Sequence, residues 1–106
     1  MEAKNELMVL TVFKNTKLLS VEQLFRLLKP GLESTLLPSL MLSWPLCIRV
    51  NDGIDISIPE IIKGCVFSIA VRERTVELRD YGRESGYDTS VLETILQEFL
   101  NAACHR

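Results

Sequence analysis

The only histidine in this 106-residue chain is His105, one residue from the end, and the cysteines are Cys47, Cys65 and Cys104. A general base has to be held within hydrogen-bond reach of its proton, and chain ends fray, so His105 reads as a solvated tail residue. Cys104 beside it could supply a thiolate nucleophile, but nothing in its surroundings in sequence lowers a thiol pKa, and a helix C-terminus opposes an anion. Cys47 and Cys65 lie in apolar runs and read as small hydrophobes. Three cysteines without a C-x-x-C pair make neither a disulfide framework nor a zinc site, and reduced thiols point to an intracellular protein, cytoplasmic or nuclear.

Carboxylates offer the next chemistry. Those outside the helices include Asp52, Asp55, Asp80, Glu84 and Asp88. From Arg72 to Glu84 acids and bases alternate, which is the pattern of a solvated edge that compensates its own charge. Asp80 differs, because strand parity puts it on an apolar face opposite Phe67. There it either marks the end of the sheet, pairs with an arginine such as Arg83, or titrates abnormally. The chain has no G-x-G-x-x-G, P-loop or H-E-x-x-H. The expectation is a non-enzymatic protein with no catalytic residue, no cofactor and no metal.

Twelve Lys and Arg against fourteen Asp and Glu give a net charge of -2. The chain as a whole therefore has no field that would pull it onto nucleic acid, and lipid binding has no support from charge. Arg72, Arg74, Arg79 and Arg83 are interleaved with acids, which leaves RNA contact through them and Tyr81 weakly supported. The N-terminus lacks a basic stretch followed by an apolar one, so no signal peptide is expected. Ser34 to Ile48 carries no charge but contains Pro38 and Pro45, and it is shorter than the roughly 20 apolar residues of a membrane span.

The elements follow from periodicity. Leu7 to Phe13 is apolar on both alternating faces, as in a central strand. Ser20-Val21-Glu22-Gln23 has the spacing of a capping box, with Leu19 and Leu24 placed as its staple, so a helix begins at Val21, and Pro30-Gly31 should end it. Leu32 to Leu37 could add a further turn. A three-residue loop at Asn51-Asp52-Gly53 pairs Val50 with Ile54, Ile48 with Ile56 and Leu46 with Ile58. That register places every apolar residue on one face, puts Gly53 in a left-handed position, and sets Arg49 beside Asp55. A second hairpin pairs Val71 with Val76 and Ile69 with Leu78, and Ala70 with Glu77 and Ser68 with Arg79 on the other face. Tyr81 to Asp88 reads as a solvated loop. Ser90 to Glu93 is a second capping box, opening a helix from Val91 to Ala103.

The predicted fold is α+β, ordered strand, helix, four strands, helix, in one domain spanning 1–106. An antiparallel sheet of about five strands carries two helices on one face. Hydrophobic residues make up 47% of the chain, and mean hydropathy is +0.18. That excess gathers around Leu40, Met41, Leu42, Trp44 and Leu46, where Pro45 also favours a sheet edge. These five residues are the candidate interface. They suit a small adaptor, regulatory or accessory protein, a compact viral one included, that acts as a homodimer or complex subunit. The alternative is an apolar ligand or lipid held between the sheet and the C-terminal helix.

Overall fold

The computed structural model describes residues 7–81 and 86–105. Its elements are β1 (Met8–Lys14), α1 (Val21–Glu33), a short 3-10 turn (Pro38–Leu40), β2 (Leu46–Val50), β3 (Gly53–Ser57), β4 (Cys65–Val71), β5 (Thr75–Asp80) and α2 (Ser90–His105). The five strands form one antiparallel sheet in the order β1-β5-β4-β3-β2. Both helices pack on the same face, giving an α+β fold of two layers in a body 37 × 36 × 20 Å. The short dimension is that of one sheet plus one helix layer, so among the described residues no second layer covers the far side of the sheet.

Each helix uses one stripe to close the core. Leu24, Leu28 and Leu32 of α1 and Leu92, Leu96, Leu100 and Cys104 of α2 are buried against Ile54, Ile56, Phe67, Ile69, Val76 and Leu78 of the sheet. The capping box at the start of α1 is formed. Gln23 N–H donates to Ser20 Oγ at 3.1 Å, and Ser20 N–H donates to Gln23 Oε1 at 2.9 Å. α2 begins at Ser90 itself, one residue before the expected start, and Asp88 meets its first amide. Asp88 Oδ1 accepts from the Ser90 amide at 3.0 Å and from its hydroxyl at 2.7 Å, and these two bonds hold the carboxyl below the usual aspartate range.

Three expectations are corrected. The first helix runs through Pro30 and Gly31 to Glu33. Proline forfeits one helical hydrogen bond there, and the helix is held by Leu28 and Leu32 on either side of it in the core. Gly31 allows a close helix–helix approach, since a β-carbon on it would meet the Phe99 ring at 2.8 Å. Second, β1 is an edge strand. β5 already lies between it and β4, so Met8, Val9 and Val12 meet solvent although the strand is apolar on both faces. A bulge at Leu10 lets Thr11 pair with Leu78 and Phe13 with Val76 on the core side.

The third correction decides the functional surface. The β2–β3 hairpin has a two-residue loop, Asn51-Asp52, with Val50 opposite Gly53, Arg49 opposite Ile54, Ile48 opposite Asp55, Cys47 opposite Ile56 and Leu46 opposite Ser57. Neither loop residue has a positive φ, and Gly53 is not left-handed. The turn is held instead by β4, whose Val71 N–H donates to the Asp52 carbonyl at 3.1 Å. In this register Cys47 and Arg49 face the helix layer, where Arg49 Nε lies 3.0 Å from Glu22 of α1 rather than beside Asp55. Leu46, Ile48 and Val50 therefore point to the uncovered side. The β4–β5 hairpin has the register read from parity, including Phe67 opposite Asp80. The suggested Arg83 partner, with Glu84, lies outside the described residues.

Candidate functional site

The segment from Leu37 to Ile48 builds the candidate surface. Leu37 and Leu40 are both fully buried and anchor the 3-10 turn in the core. The Leu37 carbonyl accepts from the amides of Leu40 (3.0 Å) and Leu42 (3.1 Å), and its own N–H donates to the Ser43 carbonyl at 2.8 Å. This tight closure forces two successive large residues into the left-handed region, Met41 at φ 59° and Leu42 at φ 61°. Side chains other than glycine and asparagine avoid that region at a cost of about 1–2 kcal/mol each. Both side chains project into water, with Met41 67% and Leu42 61% exposed.

Beyond the turn, burial alternates. Ser43, Pro45 and Cys47 turn inward, while Trp44, Leu46 and Ile48 turn outward, with Trp44 51% exposed. The Leu37–Ser43 bridge sets exposed Leu36 across from Trp44. Of the five residues read from sequence, Met41, Leu42, Trp44 and Leu46 are exposed along the turn and the outward side of the strand that follows, and Leu40 is not, because it is a core anchor. Ile48 is exposed on the same side, whereas a three-residue loop would turn it toward the core. Its signal was the shared parity of 44, 46 and 48.

The free edge of β2 is guarded. Glu33 Oε2 accepts the Cys47 amide at 2.8 Å, and Lys29 Nζ bonds the same carboxylate at 2.9–3.0 Å. A strand adding to this edge would have to displace that carboxylate. The exposed apolar surface is thus the outer face of β2 and the Met41 turn, rather than the strand edge itself. Burial works to raise the Glu33 pKa, but the Cys47 amide and the Lys29 charge outweigh it and leave it below the usual value of 4.5. The native pKa is then below the unfolded one, so the stability Glu33 contributes is complete above pH 4.5 and is lost as pH falls through the lowered value. Glu33→Gln is expected to flatten the acid limb of the stability profile below about pH 4.5, read from urea midpoints between pH 3 and 7.

The nucleophile candidates are placed unfavourably for catalysis. Burial, aided by the Glu33 charge, pushes the Cys47 thiol up to about 12. Burial also raises Cys104, while Cys65 is half-buried on β4. His105 ends α2, and its side chain is outside the described residues. Asp55 accepts from the Tyr81 hydroxyl at 3.1 Å on the outer face, so that tyrosine spans β4 to reach β3. Among the described residues no group of three or more His, Cys, Asp or Glu side chains could hold a metal ion, and no helix is long and apolar enough to cross a membrane. The side of α2 toward the sheet is filled by its own leucines. Grooves in the helix layer lie on its surface around Phe99, lined by Leu27, Ile95, Ala102 and Ala103. Comparison with protein families, curated proteins and solved structures finds no match for this chain.

Proposed function

We propose that this protein is a non-enzymatic interaction module that binds another protein chain, as a homodimer or as a subunit of a complex, through Met41, Leu42, Trp44, Leu46 and Ile48. The observation that carries the reading is the pair of left-handed residues at Met41 and Leu42. A turn serving only to connect α1 to β2 would be better made with glycine or asparagine, and apolar side chains held outward at a conformational cost are explained by something that binds them. Trp44 supplies the anchor, since tryptophan carries a large share of interface energy when a partner desolvates it. The absence of charge from Ser34 to Ile48 removes like-charge repulsion, so the surface tolerates a second copy of itself as readily as a different apolar partner.

Two variants test this. Met41→Gly with Leu42→Gly removes two contact side chains and the φ strain together, so the fold should be no less stable in urea while association weakens. Trp44→Ser should weaken association by roughly thirtyfold, the equivalent of about 2 kcal/mol. Sedimentation equilibrium measures self-association, and the emission of the single tryptophan shifts to the blue when Trp44 is covered. A chain that stays monomeric at every concentration, and whose captured partners are the same for wild type and both variants, would overturn the proposal.

A further inference from the structure

A second feature lies at the other end of the strands and the opposite edge of the sheet. There the β1–α1 loop is tied to the β4–β5 turn: Asn15 N–H donates to the Arg74 carbonyl at 2.9 Å, and Asn15 Nδ2 donates to the Arg72 carbonyl at 2.9 Å. Lys14 and Lys17 are thereby brought beside Arg72 and Arg74, nearly sixty residues away in the chain. All four are exposed, and none forms an ion pair among the described residues, whereas Arg26, Lys29, Arg49 and Arg79 each pair with a glutamate. The acids at this end are Glu73, Asp52 on the β2–β3 turn, and Glu22 in the first turn of α1, which is already paired with Arg26 and Arg49. A chain with a net charge of -2 thus gathers an excess of cations at one end.

Among these cations sits Leu18, 67% exposed and left-handed at φ 52°. Its conformation is imposed by Asn15, whose carbonyl accepts the Leu18 amide at 3.1 Å and whose Oδ1 accepts the Leu19 amide at 2.8 Å. Leu18 borders a groove of about 620 Å³ together with Lys14, Thr16, Glu73 and Arg74. The groove does not suit a single small anion. The Asn15 amide is committed to Leu19 and Arg72, and the Thr16 hydroxyl donates to the Cys104 carbonyl, so the remaining donors are long, mobile cations at the rim. Nor does it suit single-stranded nucleic acid, for which exposed aromatic platforms are expected, since Phe13 at this end is buried.

We propose that this end docks on a bilayer containing anionic phospholipid, with Leu18 entering the acyl region and Lys14, Lys17, Arg72 and Arg74 meeting head-group phosphates. One leucine and four cations make a weak, reversible contact that depends on both contributions. The test is co-sedimentation of the full chain with phosphatidylcholine vesicles, with and without phosphatidylserine. Binding is expected only to the phosphatidylserine vesicles and should fall as salt is raised. Lys14→Glu and Arg74→Glu should each weaken it by roughly fivefold or more. Leu18→Gly should weaken it while leaving the urea midpoint unchanged or higher, because the substitution relieves the φ strain. Equal binding to pure phosphatidylcholine, no binding to either vesicle, no effect of Leu18→Gly, or full competition by inorganic phosphate or a short RNA would each overturn the proposal.

Discussion

Gly53→Ala is expected to cost roughly 4 kcal/mol, a loss found only at the extreme of single substitutions. A β-carbon at 53 would stand 2.1 Å from the Ile69 carbonyl oxygen, 3.2 Å from its carbon and 3.4 Å from the Ala70 α-carbon. These are backbone atoms of β4, the central strand, which is paired on both sides and cannot retreat without disturbing β5 as well. Relief would require β3 to peel away from β4 at Gly53 and Ala70, taking with it the Val71-to-Asp52 hydrogen bond that steadies the hairpin turn. Gly86→Ala is the control. Gly86 is left-handed at φ 76° with nothing within 4 Å of the added carbon, so it should lose only the conformational penalty of about 1 kcal/mol. Urea denaturation of the two variants separates a steric requirement for glycine from a torsional one. Equal losses would mean that β3 and β4 do not approach as described.

That glycine also explains what parity could and could not read. At β4–β5 one face is apolar except for Asp80 at the strand end and the other is mostly polar, and strand alternation gives every pair from Phe67–Asp80 to Val71–Val76. At β2–β3 the same rule failed, because it assumes that apolar residues face the core. The three-residue loop needs Gly53 in a left-handed turn position, whereas its role is to let two strands approach closely. With it at the first position of β3, the loop shortens by one residue and the Leu46, Ile48, Val50 stripe faces out. The candidate surface was legible as far as the absence of charge and the single tryptophan could mark it, which found Met41, Leu42, Trp44 and Leu46. Leu40 and Ile48 depended on which way a turn and a strand faced. The basic end was not legible, because Lys14 and Lys17 meet Arg72 and Arg74 only through Asn15, a residue whose sequence context shows nothing but a turn.

Asn15→Ala is expected to lower stability by about 3 kcal/mol and the melting temperature by roughly 10–20 °C. The side chain is 3% exposed, and all its bonds go to backbone groups: Nδ2 to the carbonyls of Leu19 (3.0 Å) and Arg72 (2.9 Å), Oδ1 to the Leu19 amide (2.8 Å). Truncation leaves those three partly buried groups without their side-chain partner, and the loss of three hydrogen bonds at once sets the size of the effect. Asn15→Asp should be worse at neutral pH, since it removes both donors and aims a carboxylate at two carbonyl oxygens. The same contacts hold Leu18 at φ 52°, so the loop that loses them is free to relax. Leu18→Gly should therefore stabilise the wild-type chain and do little or nothing in the Asn15→Ala background. A double-mutant cycle measures that coupling directly, and strictly additive effects would show that Asn15 does not impose the conformation of Leu18.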